Sequence, residues 1–130
     1  MPTAAPASTA SVAEELVNLC RDGRNLDAVA KLYDPNIVSI EPIGSETAPA
    51  ETSGIDAVRA KKEWWFDTYD VNSADVQGPF VGEEQFAVRY DFETTAKATG
   101  ERARMTEMAL YTVKDGKIVR EQFYYHMPGA

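Results

Sequence analysis

The chain has 130 residues, with 13 Lys+Arg against 21 Asp+Glu and a formal net charge of −8. That length makes one domain with enough chain to bury a core unaided. The acidity disfavours nucleic acid and anionic membrane as partners, the single cysteine excludes an internal disulfide, and no apolar run reaches the roughly 20 residues of a membrane helix.

Residues 1–10 are small, polar or proline. They lack the basic region and Leu-rich stretch of a secretory signal, so a disordered tail on a cytoplasmic protein is expected, with one domain over 11–127. Ser11 is the expected cap of a first helix carrying Val12, Leu16, Leu19 and Cys20 on one face and ending at Gly23. A short second helix puts Leu26, Val29, Ala30 and Tyr33 on one side, and Asp34-Pro35-Asn36 stops it, because proline keeps its predecessor out of the helical region. Residues 37–41 read as a strand and 44–54 as a polar loop. Residues 55–69 read as a long helix with Val58, Lys62, Trp65 and Tyr69 on one face.

The period then changes from helical to alternating. Residues 74–80 are a weakly marked strand. Phe86, Val88, Tyr90 and Phe92 alternate with polar residues, and Glu107, Ala109, Tyr111 and Val113 share one face of another strand. Asp115-Gly116 is a hairpin signal, and residues 118–125 form the return strand. Helices first and strands after predict an α+β fold.

The order of elements and the ending DGKIVREQFYY resemble the SnoaL-like proteins, within the superfamily of ketosteroid isomerase and nuclear transport factor two. The sharpest local likeness is Ile40-Glu41-Pro42-Ile43-Gly44-Ser45-Glu46, similar to the ketosteroid isomerase stretch in which an aspartate before Pro-Val-Gly-Ser-Glu shuttles a proton. The resemblance implies a strongly curved antiparallel sheet, a cone-shaped half-barrel, holding three helices from the first half of the chain. It puts Glu41 at the base position and implies a homodimer joined through the outer sheet face. The two oxyanion donors of the isomerase fall at or near Leu16 and Ala109, which cannot donate. Members include cyclases, dehydratases and binding modules, so the fold leaves the reaction open.

Three carboxylates are the candidate catalytic residues: Glu41, Glu107 and Glu121. An apolar cavity desolvates a carboxylate, raises its pKa and suits it to acid–base work. The alternatives are a solvated strand-end glutamate for Glu41, and an ion pair or an outward turn for the other two. Lys62 reaches inward to neutralise one of them or snorkels to solvent. Trp65, Val88, Tyr90, Tyr111, Phe123 and Tyr125 are the candidate substrate-binding residues, the alternative being plain core. His126 is expected at the surface and Cys20 in the core. No metal or cofactor is expected. The partners expected are a small apolar molecule and a second copy of the chain. Three functions follow: an isomerase, cyclase or dehydratase acting on an apolar carbonyl compound, a binding module, or a dimerisation module.

Overall fold

The computed structural model describes residues 6–45 and 48–126, so residues 1–5 of the expected tail, Glu46 of the local motif and the domain's last residue, Met127, fall outside it. The element order is α1 (Thr9–Arg21), α2 (Asn25–Leu32), β1 (Tyr33–Ile40), β2 (Glu51–Ser53), α3 (Ile55–Thr68), β3 (Tyr69–Val81), β4 (Gln85–Ala96), β5 (Arg102–Lys114) and β6 (Lys117–Tyr124). No helix is long and apolar enough to cross a membrane among the described residues.

Helix α1 starts earlier than its sequence suggests. The Ser8 side chain caps it by accepting the Ser11 N–H at 3.1 Å, and the Thr9 hydroxyl donates to the Glu83 carbonyl at 2.7 Å. Residues 8–10 are therefore ordered parts of the helix start, a correction to the expected ten-residue tail. Satisfying an otherwise unpaired amide and a turn carbonyl together favours the earlier cap. The helix buries Val12, Ala13, Leu16, Val17, Leu19 and Cys20.

Tyr33 is likewise the first residue of β1 rather than the last of α2. Proline restricts Asp34, and the chain extends one residue sooner than expected. Between Tyr33 and Val38 the register against β6 shifts, and Pro35, with no amide hydrogen to donate, sits in that irregular stretch. The Asn36 N–H is taken by the Asp34 side chain at 2.8 Å.

The six strands run in the order β2-β1-β6-β5-β4-β3 in a curved, unclosed sheet. The expectation of a wholly antiparallel sheet is corrected at one place: β1 and β6 pair parallel, making the sheet mixed. The chain leaves β1, passes through α3 and the β3–β5 meander, and returns on the other side of β1 from β2. In the β5–β6 hairpin both Asp115 (φ 51°) and Gly116 (φ 76°) are left-handed, as a two-residue type I′ turn requires. Gly116 is also constrained by space, since a Cβ there would lie 2.9 Å from the Ala7 nitrogen.

The core lies between the helices and the inner sheet face. It holds Leu16, Val29, Ile37, Val58, Phe86, Val88 and Ile118, each at most 1% exposed. Phe86 stacks on Tyr111 with ring centroids 4.8 Å apart. Helix α3 packs against β1, and its adjacent Lys61 and Lys62 reach the carboxylates of Glu41 and Glu121.

Candidate functional site

Alternation along β1 carries Ile37 and Ser39 to the inner face, both with no exposed surface, and Glu41 follows two residues on. The Glu41 N–H donates to the Ala50 carbonyl at 2.7 Å, which ties the strand end to the returning loop. Its carboxylate accepts from Lys61 Nζ at 3.0 Å on Oε1 and from the Tyr125 hydroxyl at 3.0 Å on Oε2. The side chains of Glu41 and Lys61 are each 24% exposed, so solvent reaches this end of the site.

Glu121 is fully buried. It lies beside Ser39 in the parallel β1–β6 register. Its Oε2 accepts from the Ser39 hydroxyl at 2.7 Å, Lys62 Nζ lies 3.1 Å away, and the Tyr33 hydroxyl donates to Oε1. A buried carboxylate is tolerable only with such partners. Burial pulls the Lys62 ammonium down, but the Glu121 charge and their hydrogen bond outweigh it and leave the pKa above the ordinary lysine value. Of the two readings for Lys62, the inward one holds. Lys61 turns inward as well, and the two ammonium groups lie 5.6 and 5.1 Å from the centre of the Phe123 ring.

Glu107 differs from both. It is half-buried on the inner face of β5, opposite Tyr90 in the β4–β5 register, with no hydrogen bond or ion pair among the described residues. Desolvation first, and then the charge of Glu41, push its carboxyl up to about 7, against the pull of Lys62 and Lys61. Burial and then Glu41 raise the Tyr125 hydroxyl well above the tyrosine range, so it stays a donor.

The six expected substrate-binding residues divide. Val88, Tyr111 and Phe123 are buried core side chains. Tyr125 belongs to the polar cluster. Trp65 packs edge-on to Phe66 at 5.1 Å and near Phe92 at 5.7 Å. Tyr90 joins Phe66, Tyr69, Val76 and Phe92 in walling a cleft of about 520 Å³ between the C-terminal end of α1 and β3. Its hydroxyl pairs with that of Tyr111 at 2.7 Å, and Cys20 Sγ is 3.8 Å away. Burial pushes the Cys20 thiol up, against the lowering effect of that hydrogen bond, so it stays protonated. His126 is exposed, as expected. Leu16 and Ala109 are buried and apolar, so any donor must come from elsewhere. Among the described residues no group of three His, Cys, Asp or Glu side chains is arranged to hold a metal ion.

Tyr33 and Ser39 join the cluster through their hydroxyls on Glu121, with no motif in the sequence to mark them. The signal for Ser39 is plain period-two alternation from Ile37 to Glu41. Tyr33 was hidden by its assignment to the preceding helix.

A profile of the SnoaL-like domain family matches residues 7–125. Among solved structures, a candidate SnoaL-like polyketide cyclase from Mesorhizobium loti is 40% identical over 92% of this chain and 100% of its own, with a TM-score of 0.85. A candidate isomerase from Bacillus subtilis is 17% identical, covers 91% of this chain and 86% of its own, and superposes with a TM-score of 0.71. A nuclear transport factor two-like protein from Burkholderia thailandensis is 16% identical, with 92% of each chain covered and a TM-score of 0.76. These last two share the fold. No curated protein gives a significant match.

Proposed function

The chain belongs to the SnoaL-like domain family, and from that premise we propose an acid–base protein that moves a proton on a small apolar carbonyl compound without a cofactor. The observation carrying this reading is the unequal treatment of three neighbouring carboxylates. Glu41 and Glu121 each have a lysine; Glu107 has none and lies within reach of their charge. Groups whose surroundings separate their protonation states make a donor and an acceptor from one residue type.

In this reading Glu41, as carboxylate, takes a proton from the carbon next to the carbonyl. The electron pair of that C–H bond forms a carbon–carbon double bond, and the carbonyl π pair moves onto the oxygen, which receives a hydrogen bond from neutral Glu107. The resulting enolate is common to isomerisation, aldol-type ring closure and dehydration. The aromatic walls of the cleft suit the flat body of the ligand; the three carboxylates are not among the residues lining it, and Tyr90, one of its walls, is the cross-strand neighbour of Glu107. A cytoplasmic setting suits the lone reduced thiol of Cys20.

The test is exchange of carbon-bound hydrogen for deuterium, followed by NMR in D₂O. The panel is steroid enones, anthraquinone-like polyketides and naphthols. Exchange above buffer background is expected, falling about 10²–10⁴-fold in Glu41→Gln. Exchange unaffected by both Glu41→Gln and Glu107→Gln would overturn the reading. The buried, apolar Leu16 and Ala109 at the two donor positions favour a second one, a binding module, for which thermal-shift binding without any exchange is the expected result.

A further inference from the structure

Glu121 has no exposed surface, so a ligand placed against Glu41 and Glu107 does not touch it. It nevertheless connects to that end of the site through one defined path. An ionised carboxylate only accepts hydrogen bonds. The Ser39 hydroxyl, 2.7 Å from Glu121 Oε2, therefore donates to it. Its one hydrogen is then committed, and Ser39 Oγ presents lone pairs to its other neighbour, Lys61 Nζ at 2.6 Å. The same nitrogen lies 3.0 Å from Glu41 Oε1. Ser39 and Glu121 are paired in the β1–β6 register, so the backbone holds this end of the path rigid. Lys61 is the long, partly exposed side chain that needs holding.

We propose that Ser39 and Glu121 are positioning residues: the buried carboxylate fixes the direction of the Ser39 hydroxyl, the hydroxyl holds the Lys61 ammonium, and the ammonium sets the charge felt by Glu41 and Glu107. Its meaning for catalysis rests on the proton-transfer reading above. The path itself does not. A Ser39 side chain serving only as filler would leave the charge on the far side of Lys61 unchanged.

The experiment is a double-substitution cycle read at Glu107 by NMR titration of its side-chain carboxyl carbon. The groups facing Glu107 are Glu41, Tyr90, Lys61, Lys62, Glu121 and Tyr125, of which the cycle replaces only Lys61; its other substitution is at Ser39 in the path. Lys61→Met should raise the Glu107 midpoint by about half a pH unit, as removal of a nearby partly screened cation does. Ser39→Ala should raise it in the parent chain and leave it unchanged in the Lys61→Met background. Equal shifts in both backgrounds, or none in the parent, would overturn the proposal. Ser39→Cys keeps the size with a weaker donor and acceptor, and should give a smaller shift in the same direction if Ser39→Ala does not fold. A Glu107 midpoint in the ordinary carboxylate range in the parent chain would remove the catalytic reading while the cycle, which reads differences, still decides the path.

Discussion

A proton on Glu107 is held more tightly by the folded chain than by the unfolded one. Its carboxyl is raised from 4.5 to about 7, first by desolvation and then by the Glu41 charge. For an acid shifted upward, the folded state carries the extra proton between those two values. Stability from this group is therefore complete below about pH 4.5, falls as pH rises, and levels off above about pH 7. At 1.36 kcal/mol per pH unit over about 2.5 pH units, the loss is about 3 kcal/mol. Glu107→Gln should flatten that slope and be more stable than the parent at pH 8. Urea unfolding at pH 5, 6, 7 and 8 checks this, and an unchanged slope in the variant would assign it to another group. The period of β5 was legible: Glu107, Ala109, Tyr111 and Val113 share a face, and the last three are buried. Its charge balance was not. Adjacent helix residues point about 100° apart, so the helical period admits only one of Lys61 and Lys62 to the interior. Both reach it because their long stems pass the Phe123 ring to different carboxylates. Alternation likewise put Val88, Tyr111 and Phe123 on the inner face but could not tell a pocket wall from filled core.

At the scale of elements, the boundaries that moved were decided by partners distant in sequence. Ser8, Thr9 and Ser11 are all capable caps, and nothing local ranks them. The Glu83 carbonyl, 74 residues from Thr9, favours the earlier start. Truncating residues 1–10 removes the Ser8 cap and should cost about 1 kcal/mol, or about 4 °C in the thermal midpoint. An unchanged midpoint in a melting scan would mean that Ser11 takes over the cap at no cost. The strands β4, β5 and β6 were the most legible elements, because clean alternation and an Asp-Gly turn agree about them. Strand β1 was legible only from Ile37 onward. Its first half carries a proline and an irregular register, which blur the pattern that would mark it.

For the whole molecule, the outer sheet face bears on association. Met108 and Tyr124 are directly opposed across β5 and β6, 39% and 48% exposed, and Leu110 follows on the same face. We propose that a second copy of the chain covers this face, which repeats itself under a two-fold axis. Sedimentation should give twice the 14.3 kDa chain mass at micromolar concentration, and Met108→Lys with Tyr124→Lys should return it to the single mass. A parent chain already at the single mass would overturn the proposal.

The parallel β1–β6 pair also fixes when the molecule becomes complete. The contacts from Tyr33 and Ser39 to Glu121, and from Tyr125 to Glu41, join residues 88, 82 and 84 apart, whereas β3, β4 and β5 pair with their sequence neighbours. Closing loops of that length costs more chain entropy than zipping hairpins, so the meander forms early and β1 docks last. During synthesis the first 40 residues must wait for nearly the whole chain before Glu41, Lys61 and Glu121 share one site. Pulsed hydrogen exchange during refolding should accordingly protect β4 and β5 amides before those of β1, and the site is the part of the protein with the shortest history at every folding event.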